Sequence, residues 1–314
     1  MNRPITNMRI LFMGTAPFAV PSLESLLAAG HEVVGVVTQP DKPVGRKREL
    51  LPSAVKSAAL GHGLPVYQPV RLRKDKALHE TVRGLAPDIV AYAAYGQIIP
   101  QAFLDIPRLG CWNVHGSLLP AYRGAAPIQW SIINGDPRTG VCVMIAEAGL
   151  DTGPVLAAAE MDILPVDNAF TLGERMAAVG ARLLVDTIAG WERGEVAPKP
   201  QDPRLATLAP AIEKEDARID WLRPATALDC FVRGMNPKPG AWTLWRGGEF
   251  KVWAAASASE APGAPGAVGI AGKRVLVGTG GGALELLTVQ PSGKRPMPAL
   301  DWARGFRSAE AFGV

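Results

Sequence analysis

Two apolar runs separated by one helical stretch constrain this chain more than any other feature. Arg9 to Gly14 (RILFMG) reads as a buried strand closed by glycine, and Glu32 to Thr38 (EVVGVVT) as a second. Between them, Ala19 to Ala29 carries helical spacing and Gly30 supplies its stop. Strand, helix and strand in that order predict a right-handed crossover and a parallel sheet. The first turn also narrows the chemistry. Gly14-Thr15-Ala16-Pro17 lacks the second and third glycines of the dinucleotide fingerprint, and no phosphate-cradling Walker sequence occurs. A nicotinamide site of that type is excluded.

The alternation continues. Ser53 is placed to cap a helix running to about His62, and Leu64 to Tyr67 reads as a short strand. Lys74 to Gly84 is expected to be helical, and Asp88 to Ala94 (DIVAYAA) to be another buried strand, ending at Tyr95-Gly96-Gln97-Ile98. In open α/β sheets, ligands gather at the carboxyl ends of the strands. Ala94 to Ile98 is thus either a crevice wall or a plain structural turn, and the residues alone leave both open. Farther on, Pro154 to Leu164 reads as a strand and Thr171 to Trp191 as a helix that closes a first domain.

Gly110 to Asp151 concentrates the chemistry. Cys111, Trp112 and Val114 suggest a short strand interrupted at Gly116. Strand alternation puts Asn113 and His115 on one face, roughly 6.5–7 Å apart. Pro127 suits a first helical residue and Asn134-Gly135 a helix end. A strand from Gly140 to Glu147 then leads to Gly149-Leu150-Asp151-Thr152-Gly153, where glycines would let a tight loop present the carboxylate. Asn, His and Asp delivered from neighbouring strand ends are the parts needed to polarise a carbonyl and move a proton. Each has a structural alternative: His115 as a hydrogen-bonded scaffold residue, Asn113 as a turn residue, Asp151 as a loop cap.

Composition matters at several points. The 314 residues are 48% hydrophobic and 20% charged, enough for two domains with a sizeable core. A net charge of +4 permits a polyanionic partner without establishing one. The loop from Gln39 to Leu51 holds Lys42, Arg46, Lys47 and Arg48, either as a solvated basic loop or as a nucleic-acid contact. Cys111, Cys142 and Cys230 are isolated, without metal-type spacing, which fits a reducing cytosol. No apolar run is long enough to span a membrane, and MNRPITNM is too short and polar for a signal peptide, so a cytoplasmic protein is expected. Prolines at 198, 200, 203 and 210 mark 191–211 as a linker between a domain over 1–190 and a second over 212–314. In the second, short strands at Ala241–Trp245, Phe250–Ala254, Arg274–Val277 and Ala283–Gln290 suggest a small OB-like barrel.

Longer motifs add a family. TQPDKPVGR at 38–46, AYGQIIP at 94–100, NVHGSLLP with RGAAPIQ through 129, GLDTG at 149–153, ARIDW at 217–221 and QPSGKRPM at 290–297 together resemble the methionyl-tRNA formyltransferase family over nearly the whole chain. Lys42 and Lys47 depart from the arginine and glycine that many members carry there. The resemblance implies an α/β fold: a Rossmann-like formyltransferase domain with a mostly parallel sheet, followed by the smaller OB-like β-barrel. It implies 10-formyltetrahydrofolate as donor, methionyl initiator tRNA as acceptor, no metal, and a monomer. It puts Asn113, His115 and Asp151 in catalytic positions. Folate would be held by Ser117, Leu118, Leu119 and Pro120 with Tyr95, Gly96, Gln97 and Ile98. Lys42, Arg46, Lys47 and Arg48 would enter the tRNA acceptor stem. A formyltransferase acting on a sugar amine or a purine precursor, and a catalytically silent tRNA-binding module, are the rival expectations.

Overall fold

A computed structural model describes residues 7–44, 49–260, 263–306 and 310–313. Residues 45–48 of the expected loop 39–51, and with them Arg46, Lys47 and Arg48, lie outside the described residues. The described residues of 1–125, 139–161 and 173–209 form one compact unit, and those of 126–138, 162–172 and 210–314 form another.

The first unit is built on a seven-stranded sheet. Its order is Val155–Asp162, Arg138–Ile145, Cys111–His115, Ile89–Ala93, Arg9–Gly14, Glu32–Val37 and Val66–Tyr67. Arg9–Gly14 lies at the switch point, parallel to both Glu32–Val37 and Ile89–Ala93. Cys111–His115 continues the parallel set beside Ile89–Ala93, and only then does Arg138–Ile145 run antiparallel to it. The central strands read as continuous hydrocarbon because both faces are covered. Ile10, Leu11, Phe12 and Met13 are fully buried, each contributing about 1.5–3 kcal/mol by leaving water. Leu11, Met13 and Val90 share a cluster with Val82 of the helix Lys76–Leu85 and with Phe103. Trp112 packs edge-on against Trp191 at 5.4 Å, near the end of the long helix Ala169–Glu192.

The crossover helices fall where periodicity places them. Val20–Ala28 follows a short 3-10 turn, and Ser53 caps Ala54–Gly61 by accepting the Lys56 N–H at 3.0 Å. Two features differ from expectation. Inside the expected loop 39–51, Lys42–Val44 and Glu49–Leu51 form a short antiparallel ladder. Three residues a side, one of them a proline, have too little apolar pattern to announce themselves as strands. The Pro-rich stretch is also tied down. Lys199 exchanges two 2.9 Å backbone hydrogen bonds with Val155, and Leu208–Ala209 pairs in parallel with Arg123–Gly124.

The second unit is an antiparallel sheet bent towards closure. Its order is Trp242–Trp245, Gly248–Ala258, Ala283–Pro291, Arg274–Gly278, Ala267–Ala271 and Glu310–Ala311, with Met297–Pro298 added beside Ala283–Pro291. Register shifts around Ala254 supply the bend. Trp221, Phe250, Trp302 and Phe312 fill its interior, Trp221 and Phe312 stacked at 5.3 Å. The helix Ala225–Met235 lays Leu228, Phe231 and Val232 on that core, where Ile133 of the helix Pro127–Ile133 also packs. The strand Ala267–Ala271 was not expected, since AVGIA is short and half-exposed. It forms by pairing with Arg274–Gly278. The expected OB-like barrel accounts for the rest.

Candidate active site

The strand Cys111–His115 delivers two polar side chains to one face at its carboxyl end, as alternation requires. Asn113 and His115 are both buried, and burial without partners would cost several kcal/mol. Each has partners. The Asn113 amide donates Nδ2–H to Oδ1 of Asp151 at 3.4 Å. His115 Nε2 lies 3.0 Å from the Tyr122 carbonyl oxygen, and Nδ1 lies 3.7 Å from Asp151 Oδ2. The three residues separated in sequence thus meet in one place.

Asp151 is held more tightly than a surface loop acid. Its backbone sits in the left-handed region, at φ 50°. Its carboxylate accepts the Gly124 N–H at 2.9 Å through Oδ2, and its side chain is only 13% exposed. Its own carbonyl accepts the Gln201 side-chain amide at 2.8 Å. Gly153 is required by space: a Cβ there would lie 1.9 Å from the Ile145 carbonyl oxygen. Gly124 is required twice over, by φ 128° and by a would-be Cβ contact of 2.5 Å with the Ala209 carbonyl. Sequence reading anticipated glycines around Asp151. It had no signal for Gln201, for the Tyr122 carbonyl or for the Gly124 N–H, two of which are main-chain groups.

Hydrogen-bond chemistry limits what His115 can do. A carbonyl oxygen only accepts, so Nε2 carries a proton directed at Tyr122. Nδ1 is the nitrogen left for other work, and it donates only when the ring is imidazolium, with Asp151 as the counter-charge. One Asn113 N–H and the His115 Nδ1 position are therefore the donors that face an incoming oxygen, and the Asp151 carboxylate is the acceptor beside them. Tyr92, on the neighbouring strand in register with Asn113, has its phenol raised by burial and then by the charge of Asp151, so it stays protonated. Cys142 pairs with His115 across the sheet. Burial pushes its thiol up to about 11, against the opposing effect of the Leu119 N–H that Sγ accepts at 3.4 Å. It is a protonated packing atom and not a nucleophile.

The remaining expected residues divide. Ser117 is fully buried and donates Oγ–H to the Ala121 carbonyl at 2.6 Å, bracing the Leu118-Leu119-Pro120 turn beside His115. Tyr95 is 2% exposed, with its ring in the sheet core, while its carbonyl accepts Thr15 Oγ1 and Gln39 Nε2, both at 2.8 Å. Gly96, at φ 79°, leaves room for that Gln39 amide. Gln97 holds the Leu72 N–H and the Pro69 carbonyl, at 2.8 and 3.1 Å, and so displays Ile98, which is 75% exposed. Gln97, Ile98 and Lys42 line one cleft of about 430 Å³ together with Gln39, Arg71 and Arg73. Asp41 lies there too, its carboxyl held below the usual range by hydrogen bonds from Lys56 first and then Gln68. Lys42, Arg71 and Arg73 make no ion pair among the described residues, so the cleft is basic on balance. No group of three or more His, Cys, Asp and Glu is placed to hold a metal among the described residues, and no helix there is long and apolar enough to cross a membrane.

The formyl transferase family model matches residues 8–188, and the model of its C-terminal domain matches residues 211–307. A methionyl-tRNA formyltransferase of Solibacter usitatus (strain Ellin6076) is 50% identical over 303 residues, 96% of this chain and 97% of that one. Among solved structures, an N-formyltransferase from Helicobacter canadensis, in complex with folinic acid and dTDP-3-aminofucose, has a TM-score of 0.67 at 17% identity, covering 90% of this chain and 99% of that one. HypX from Aquifex aeolicus, in complex with tetrahydrofolic acid, has a TM-score of 0.66 at 18% identity, covering 98% of this chain and 51% of that one. The last two likenesses establish the fold. With 50% identity over 97% of a curated relative, and with both domain models matched in order, the chain belongs to the formyl transferase family and, within it, to the methionyl-tRNA formyltransferases.

Proposed function

We propose that this enzyme transfers the formyl group of 10-formyltetrahydrofolate to the α-amino group of methionyl initiator tRNA, giving the formylated initiator for translation. It works as a monomer in the cytoplasm. The observation that carries the reading is the convergence of Asn113, His115 and Asp151 in a chain of this family. The amine attacks the formyl carbon, and the carbonyl oxygen gains the negative charge of a tetrahedral oxyanion. Asn113 and the imidazolium Nδ1–H of His115 donate hydrogen bonds to that oxygen. Loss of one such donor typically costs about 3–4 kcal/mol of transition-state stabilisation. Asp151 takes the proton the amine must lose, directly or through water, an effect worth roughly 10²–10⁴ in rate. The bond from carbon to N10 then breaks, and the proton passes to that nitrogen as the folate leaves. No covalent formyl-enzyme is involved.

The donor is held by Ser117, Leu118, Leu119 and Pro120 on one side and by Tyr95, Gly96, Gln97 and Ile98 on the other. The buried members shape these walls, and Ile98 offers apolar surface. Lys42, with Arg46, Lys47 and Arg48, meets the phosphates of the acceptor stem, and holding both substrates together supplies proximity. The test offers the purified chain formylated folate with methionyl initiator tRNA, a nucleotide-linked amino sugar, a purine-precursor amine or free methionine, and identifies the product by mass spectrometry. Formylated methionyl-tRNA as the dominant product is expected. Preferential formylation of a small amine would overturn the acceptor assignment, and tRNA binding without transfer would leave only a binding module.

A further inference from the structure

The acid of the site is positioned by a residue 50 positions away, in a stretch whose prolines suggest a mere spacer. Gln201 is half-buried and uses its whole side-chain amide. Its Nε2 donates to the main-chain carbonyls of Asp151 and Gly153, at 2.8 and 2.7 Å. Its Oε1 accepts Nε and Nη2 of Arg123, at 3.0 and 2.7 Å. Both donors and both lone pairs are engaged, and the orientation is forced, since guanidinium only donates and a carbonyl only accepts. Arg123 lies in the segment that serves His115 and Asp151 directly. The carbonyl of Tyr122 holds His115 Nε2, and the N–H of Gly124 holds the Asp151 carboxylate. The same stretch reinforces that segment: the Thr207 side chain accepts the Tyr122 N–H at 2.8 Å, and its carbonyl accepts the Arg123 N–H at 2.9 Å.

We propose that Gln201 is a positioning residue for catalysis. It cross-links the Asp151 loop to the 122–124 segment and so sets where the Asp151 carboxylate stands relative to His115. Neither end of the cross-link is replaceable by the neighbouring chemistry. A carboxylate at 201 would keep the Arg123 contact but would turn two donors into acceptors facing two carbonyl oxygens. An alanine would leave both carbonyls and the Arg123 fork without their partner. Asp151, whose backbone sits in the left-handed region at φ 50°, would lose the hydrogen bond that holds its main-chain carbonyl. This proposal rests on the formyl-transfer reading for its catalytic meaning, but the restraint itself is a structural property.

The experiment compares Gln201→Ala and Gln201→Glu with the unsubstituted full-length chain, by steady-state kinetics and by crystallography. With a displacement of the order of 1 Å at the reacting groups, kcat should fall about 10²-fold. KM for formylated folate and for tRNA should stay within about twofold, because the whole Gln201 side-chain amide is engaged with Arg123, Asp151 and Gly153 and a residue acting only through Asp151 changes the reacting geometry and not substrate binding. The crystal structure of the Gln201→Ala protein should show Asp151 shifted from its left-handed backbone or its carboxylate moved from His115. Gln201→Glu preserves length and the Arg123 contact, so it supplies the reading if the alanine variant fails to fold. A kcat within threefold of the unsubstituted protein, a loss confined to KM, or an unmoved Asp151 in the variant structure would each overturn the proposal. Should the unsubstituted chain transfer no formyl group, the functional reading falls by itself, and the position of Asp151 in the variant structures still decides the role of Gln201.

Discussion

The loop that carries Asp151 and the segment that carries Lys42 leave strands of the same sheet, yet they are secured in opposite ways. Around Asp151, the carboxylate is held by Gly124 and Asn113, the carbonyl by Gln201, and the close approach to Ile145 permits only glycine at 153. Around Lys42, the side-chain ties stop one residue short. Asp41 is anchored by Lys56 at 2.7 Å and Gln68 at 2.8 Å, and Lys42 itself stands exposed in a three-residue ladder. The difference follows from what each group does in the proposed reaction. Charge developing on a reacting oxygen rewards donors and acceptors fixed beforehand, because reorganisation during the reaction adds to the barrier. A phosphate met by a lysine needs only a nearby cation on a flexible stem.

The largest expected effect strips the fixed set. His115→Ala and Asp151→Asn should lower single-turnover formyl transfer by about 10²–10⁴-fold, with thermal melting close to that of the unsubstituted protein. Asn113→Ala should fall by about 10²–10³-fold, as loss of an oxyanion donor does. Near-normal transfer in any of these would erase the distinction, since the tightly held region would then have no catalytic reason for its restraint.

A smaller effect probes the restraint itself. Gly153→Ala puts a methyl against the Ile145 carbonyl, a backbone atom in the sheet that has little freedom to yield. Overpacking of this kind costs about 1–3 kcal/mol, to be read from urea denaturation, and the shift it forces lies two residues from Asp151. Stability and kcat should therefore fall together. If stability falls while kcat holds, the loop tolerates displacement and the contrast with the Lys42 segment is one of packing alone.

Much of the contrast was legible in the residues. Period-two alternation placed Asn113 and His115 on one face, and the glycines around Asp151 announced a tight loop. The first strand, helix and strand announced the parallel pairing of Arg9–Gly14 with Glu32–Val37. What escaped were partners that are not side chains or not near in sequence. The Tyr122 carbonyl and the Gly124 N–H carry no residue-type signature, and Gln201 lies between prolines at 200 and 203 that suggest a spacer. The helix Pro127–Ile133 was expected from its proline and its Asn-Gly end, but nothing local shows that Ile133 packs with Phe231 and Met235. Local pattern reports on period and propensity; which distant surface buries an apolar stripe is decided by the folded chain. The basic loop shows the same limit from the other side. Its charges were plain in the sequence, whereas the pairing of Lys42–Val44 with Glu49–Leu51 rests on backbone groups that any residues supply.

The smallest expected effect tests the loose end of the comparison. Lys42→Ala removes one exposed cation from a cleft that retains Arg71 and Arg73, and it touches none of the groups around His115. If Lys42 meets a phosphate of the acceptor stem, tRNA affinity should weaken modestly at low salt. The slope of log affinity against log salt should become shallower by about 0.7–0.9, the contribution of one released counterion. The value of kcat at saturating tRNA should not change, because a contact equally strong in ground and transition states affects binding alone. An unchanged slope would remove Lys42 from the phosphate contacts. A fall in kcat with the slope intact would mean something more consequential: the cleft would then be coupled to the reacting groups, and recognition and chemistry would share one restrained surface after all.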